Sequence, residues 1–266
     1  MVFFAAVVFL PRFYQVVQGS SATASGYQIL PLLLGLIISA IATGQIVART
    51  GRYKAIIASS LVVSALGLFL LTNLRPETPT PLVWLWMATT GVGVGPSFAI
   101  FTLVVQNSVP PRELGTATSS LTLFQQVGGT VGLALTGSIF GSVLLDEMPR
   151  QIQAAGVPAD FAARFAQGGG AALNNFGGVG DLGAKIIASV PEQARAQVQP
   201  LIPAIVHGIH EAFSIATAST FVLGIGTALL ACLVILVVMP ATRMHTASPE
   251  AVRAARASGA LEPTPD

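Results

Sequence analysis

Charge is what this sequence has least of. Asp, Glu, Lys and Arg make up 9% of the 266 residues, against about 25% in an average soluble domain. The net charge is +2, and the basic residues are scattered rather than gathered into a stripe, which excludes the electrostatic footprint of a nucleic-acid partner. Cysteine is nearly missing too: Cys232 is the single one. It can form no intramolecular disulfide and no cysteine-based metal site. It reads as a small hydrophobe facing lipid or a neighbouring helix. No nucleophile–base pair or metal cluster is visible within the apolar stretches, so neither an enzyme nor a cofactor is expected.

What is present in quantity is apolar sequence. The chain is 53% hydrophobic, with a mean hydropathy of +0.74. The apolar runs lie at about 2–17, 25–48, 55–74, 82–105, 115–145 and 212–239. At 1.5 Å per residue, each of the last five can cross a bilayer core of ~30 Å. The first is short and starts at the initiator methionine, so its first turns look missing. Residues 1–10 could pass for the apolar part of a signal peptide. The charged stretch that should precede it is absent, however, and Pro11-Arg12 interrupts the run. The expected fold is all-α: a polytopic transmembrane bundle of six spans over residues 1–240, followed by a polar, disordered cytoplasmic tail at 241–266.

Basic residues set the expected orientation. Arg49, Arg52 and Lys54 follow the second span, Arg112 the fourth, and Arg243, Arg253 and Arg256 the sixth. The short opposite loops carry only Arg75. Both termini are therefore expected in the cytoplasm. Residues 146–211 are expected to form a long extracytoplasmic loop, broken by Gly168, Gly169, Gly170, Gly177 and Gly178, with a short surface helix at 191–198. A weak symmetry of three spans and three spans suggests an inverted repeat.

Several stretches carry more than hydropathy. Gly44, Arg49, Gly51, Arg52 and Lys54 surround the turn after the second span. Gly51 permits a tight turn, and the cations suit the negative helix end and anionic headgroups. Read simply, this is a positive-inside anchor. In the fourth span, Gly91, Gly93, Gly95 and Pro96 suit either close packing or a hinge in a cavity wall. The fifth span is the most polar. Gln126 falls near the midplane with Gln125 beside it, as glue between helices or as a substrate or interface contact. Gly128/Gly132 and Gly137/Gly141 form GxxxG pairs expected to pack against a neighbour. Arg12 lies near the outer end of the first span, either snorkelling or contacting substrate or a partner helix. His207, His210 and Glu211 share a helical face, read as a wet helix end rather than a metal site. None of the acids lies deep in a span.

The turn sequence Gly44-Gln-Ile-Val-Ala-Arg49-Thr-Gly51-Arg52-Tyr-Lys54 resembles the loop signature of the major facilitator superfamily. Ala48 stands where that signature has an acid, which weakens the latch the family makes there. Leu10-Pro11-Arg12-Phe13-Tyr14-Gln15, Gln106-Asn107-Ser108-Val109-Pro110, Leu114-Gly115-Thr116-Ala117-Thr118-Ser119 and Gln125-Gln126-Val127-Gly128-Gly129-Thr130-Val131-Gly132 resemble the fourteen-span drug:proton antiporter branch. The resemblance covers nearly all of residues 1–240, and only the last six spans of such a protein. It implies a cell-membrane exporter of small amphipathic compounds, with protons as the coupling ion and the lipid bilayer as surroundings. By resemblance, Arg12, Gln15, Gly91, Gly95, Pro96, Gln125 and Gln126 are candidates for the cavity wall or the interface between halves. The partner is then a missing amino-terminal half. A second copy in a parallel homodimer, or a scaffold role without transport, are the alternatives.

Overall fold

The structure, a computed structural model, describes residues 2–158 and 198–238, with positions 183, 186, 187 and 195 between them. Among the described residues all regular structure is helical: α1 (Val2–Val16), α2 (Ala22–Gln28), α3 (Leu30–Thr50), α4 (Lys54–Leu71), α5 (Thr80–Asn107), α6 (Leu114–Ala154) and α7 (Ile202–Val238). Five spans are long and apolar enough to cross a membrane, counting α2 and α3 as one; α1 is apolar but shorter. The lateral surface is itself apolar. Ile38, Leu66, Leu230 and Val237 are all exposed, which suits lipid and not water.

Local sequence explains the boundaries. The expected second span divides at Ile29, because Pro31 has no N–H to continue the ladder. Ser21 caps α2 by accepting from the Ala24 N–H at 3.1 Å, as short hydroxyl side chains do at helix starts. Gly51 ends α3 in the left-handed region (φ 65°), its N–H donating to the Val47 carbonyl.

α5 is the hub. α3 lies along one side of it and α4 along another; α7 bridges α4 and α6, and α1 packs on α7 and α6. Glycines set these approaches. A methyl group on Gly91 would strike the Leu32 carbonyl oxygen, one on Gly95 the Leu36 carbonyl and the Ser39 hydroxyl, and one on Gly93 the backbone of Ser64. From the other side, a methyl on Gly35 would lie 2.6 Å from the Ala88 carbonyl oxygen. Aromatic rings fill the space around α1: Phe9 and Phe140 have centroids 4.9 Å apart, and Phe140 and Phe213 5.1 Å.

α6 and α7 have 41 and 37 residues, hence lengths of roughly 60 and 55 Å. Both exceed a ~30 Å bilayer core. The loop expected over 146–211 is therefore shorter at both ends, because 146–154 continue α6 and 202–211 begin α7. The reason is burial. Met148, Ile152, Val157, Ile205 and Ile209 belong to one buried apolar cluster, and a methyl on Gly208 would come within 2.7 Å of the Ile152 Cα. Glu147 adds local support, accepting from Arg150 at 3.1 Å and from Gln151 at 2.9 Å. The expected tail (241–266) and most of the expected surface helix at 191–198 lie outside the described residues.

Candidate substrate cavity and gating loop

A cavity of about 360 Å³ opens between α1, α4, α5, α6 and α7. This is within the usual range for small-molecule sites. Its walls include Phe3, Phe4, Phe98, Phe101, Phe124, Leu61 and Val94, with Ser64, Ser97, Gln125 and Thr227 as polar points. Phe3 meets Phe98 edge-on at 6.0 Å and Phe4 at 5.8 Å. Thr227 donates to the Gly224 carbonyl at 3.0 Å. Ser97 is different: its Oγ is buried without a hydrogen-bond partner. A hydroxyl left in that condition costs free energy unless something else satisfies it. A ligand with a polar group would do so.

The expected site residues divide between several places. Gln125 lines the cavity. Gln126 is exposed on the outside of α6, because the next helical position points about 100° away. Gly91, Gly95 and Pro96 are buried, the two glycines against α3. Gln15 donates to the Ser25 hydroxyl at 2.8 Å and ties α1 to α2. Arg12 is exposed. The expected packing glycines of α6 divide within this chain. Gly132 is buried, but Gly128, Gly137 and Gly141 have open space where a side chain would stand. The pattern fixed their common spacing but not which face meets a neighbour. Gly129, which belongs to neither pair, takes the close contact, with the Phe4 ring 2.6 Å from where its Cβ would be.

The turn between α3 and α4 is built from the motif. Gly51 closes α3, and the Arg52 N–H donates to the Thr50 hydroxyl at 3.3 Å. Arg49 and Arg52 are exposed and Gly44 has open space beside it. Lys54 donates through Nζ to the Leu236 carbonyl at 2.9 Å, so a cation meets the negative end of α7. Below it Val47, Tyr53, Ile57, Ile100 and Ile235 form a small apolar cluster of their own.

Sequence reasoning missed Ser97 and the phenylalanines. The available signal was Phe98 and Phe101 at i, i+3, directly after Pro96. Phe3, Phe4 and Phe124 come from elements far apart in the chain.

Apolar helices around a small, mostly apolar cavity, with cations at one turn, define a multi-pass membrane protein of transport type. The Major Facilitator Superfamily profile matches residues 1–133, half of the chain, and the chain belongs to that family. It is 36% identical over 153 residues to an uncharacterized MFS-type transporter of Mycobacterium tuberculosis, covering 58% of this chain and 22% of that protein. It is 36% identical over 149 residues to the multidrug transporter protein MdtP of Bacillus subtilis, covering 54% and 27%. With a tetracycline resistance determinant of Streptomyces rimosus the figures are 34% over 148 residues, 54% and 42%. The matches thus span less than half the length of these relatives. Membership makes the chain a transporter-family protein and not an enzyme.

Proposed function

We propose that this chain is the carboxy-terminal half of a proton-coupled exporter of small amphipathic compounds. The observation that carries the reading is the aromatic cavity with the unpartnered Ser97 hydroxyl at its wall. Phenylalanine walls accept many apolar shapes, and a few polar points orient them. The names multidrug transporter and tetracycline resistance determinant among the relatives support the same substrate class. The site of action is the cell membrane, with both termini in the cytoplasm. The acids of the described residues lie in the extensions of α6 and α7 (Asp146, Glu147, Glu211) or in the connections (Glu77, Glu113). A protonatable group at bilayer depth, which proton coupling calls for, is therefore supplied by the complementary amino-terminal half. A parallel pair of this chain is the second reading, because the halves of this superfamily are related by an axis along the membrane normal.

Two measurements test this. The first is Ser97→Ala in the protein as the source cell makes it, assayed for efflux across a panel of amphipathic compounds. Losing one neutral hydrogen bond is worth about 1 kcal/mol. The KM for compounds with a hydrogen-bond acceptor should therefore rise about fivefold, while purely apolar ones stay unchanged. An unchanged profile across the panel would return Ser97 to helix packing. The second is the size of the polypeptide in source membranes. A band well above 27.3 kDa supports the half-transporter joined to its complement. A band at that mass, with cross-linked dimer in mild detergent, supports the homodimer.

A further inference from the structure

At the rim of the bundle opposite the Gly51 turn, the structure brings together three metal-ligating side chains that the cavity does not use. They are Glu77, from the connection between α4 and α5, and His207 and Glu211, from the first turns of α7. One ligand atom of each lies within 4.8 Å of the other two. His207 and Glu211 are four apart on one helix, so they sit one above the other on the same face. Glu77 is far away in sequence and arrives only through the fold. Glu77 and His207 are exposed and Glu211 is half-buried, so an ion from solvent can reach all three.

Within the described residues, His210 feels the charge of both Glu77 and His207. Among the described residues, no hydrogen bond or ion pair joins the three side chains, and none ties either carboxylate to a cation. Two carboxylates and an imidazole converge there with no cation of the chain between them. A dication could take one ligand atom from each. His210, on the adjacent turn, is not part of the set. It points inward against the backbone of Val16, and its Nε2 is buried without a partner. The sequence pattern grouped His207, His210 and Glu211, whereas the fold replaces His210 with Glu77.

We propose that Glu77, His207 and Glu211 form a site for a divalent first-row transition metal of the zinc type. One imidazole and two carboxylates suit such an ion, with water as the fourth ligand. Bonds of about 2.0–2.2 Å to a tetrahedral ion would leave the ligand atoms roughly 3.5 Å apart. The side chains must close by about 1 Å, which the exposed Glu77 has the freedom to do. An imidazole ligand disfavours Mg²⁺ and Ca²⁺, which take oxygen donors. Occupied, the site clamps the α4–α5 connection to the start of α7 and restrains the outer rim of the bundle.

The test uses the protein as the source cell makes it, purified in mild detergent through a tag that binds no metal and stripped with a chelator. Zn²⁺ is then titrated calorimetrically. Wild type should bind Zn²⁺, and His207→Ala should bind one fewer per polypeptide. Glu77→Gln should weaken that site at least tenfold, and Mg²⁺ should give no heat at it. Helical circular dichroism of each variant guards against loss of fold. Should a variant not fold, X-ray absorption on Zn²⁺-loaded wild type decides. A shell of nitrogen and oxygen with one imidazole is expected. A sulfur ligand or two imidazoles would overturn the proposal, as would unchanged Zn²⁺ stoichiometry and affinity in both variants.

Discussion

At the residue scale, glycines separate into those the fold needs and those it merely contains. Gly91 and Gly137 lie in neighbouring antiparallel spans and look alike in the sequence. A side chain at Gly91 would meet the α3 backbone, while one at Gly137 would meet nothing. Overpacking of this kind costs about 1–3 kcal/mol, and backbone atoms yield less readily than side chains. Gly91→Ala should therefore lower the thermal unfolding midpoint in detergent by several degrees. Gly137→Ala should match wild type or exceed it slightly, since alanine is the better helix former. Equal losses in both would mean that α6 packs against something on the face this chain leaves open. Gly51 is needed for its backbone instead. Its φ of 65° costs a residue with a Cβ about 1 kcal/mol or more. Gly51→Ala should thus reduce stability and transport together. Arg52→Ala, at an exposed position with no packing role, should reduce transport while leaving expression unchanged if the turn works as a gate. Equal loss of transport and expression in Arg52→Ala would make that turn a membrane anchor only.

At the scale of elements, the ends of α6 and α7 are the part that hydropathy reads worst. Asp146, Glu147, Pro149 and Arg150 look like the start of a loop. The helix passes through them because Leu144, Met148 and Ile152 keep one face apolar at a spacing of four, and all three are buried. This extension is the α6–α7 end of the main buried core, carried past the length a bilayer needs, so it should open before the spans do. Ile152→Ala removes a fully buried side chain, a loss worth about 2–5 kcal/mol. Hydrogen exchange at 146–154 and 202–211 should then rise sharply, while exchange in α3, α4 and α5 stays as in wild type. A uniform rise over the whole bundle would show that the extension and the spans unfold as one. The spans themselves were legible because apolar length is set by bilayer thickness. The glycine contacts were only half legible. Gly91 and Gly95 sit in a small-residue stretch that signals close approach, but neither spacing nor composition says which helix approaches. The cavity was legible only at Gln125, and the three-ligand rim only as His207 and Glu211 on one helical face, since Phe3, Phe98 and Phe124, like Glu77 and His207, meet only through tertiary packing.

At the scale of the whole molecule, the helices sort their connections onto two sides. The turn at Gly51, the 3-10 turn at Pro111–Glu113 and the end of α7 share one side. The α1–α2 link, Glu77 and the ends of α6 and α7 that face each other share the other. Arg49, Arg52, Lys54 and Arg112 all fall on the first side, and in the orientation we propose that side faces the cytoplasm, following the bias of short loops. This orientation can be tested without disturbing the fold. Cys232 is the single cysteine and is buried, its thiol 3.8 Å from the Ala58 carbonyl. Cys232→Ser is therefore a small change that leaves no reactive background. On it, Arg52→Cys and Glu113→Cys should be shielded from a membrane-impermeant thiol reagent in intact cells and labelled in inverted vesicles. Arg75→Cys and Asp146→Cys should show the reverse. All four positions are exposed, so failure to label reports the side of the membrane and not burial. Labelling of Arg52→Cys in intact cells would invert the assignment. It would move the Gly51 turn to the outer face and the three-ligand rim to the cytoplasm. Mixed labelling of every position on both sides would instead mean that the chain inserts in two orientations, which would exclude the parallel pair.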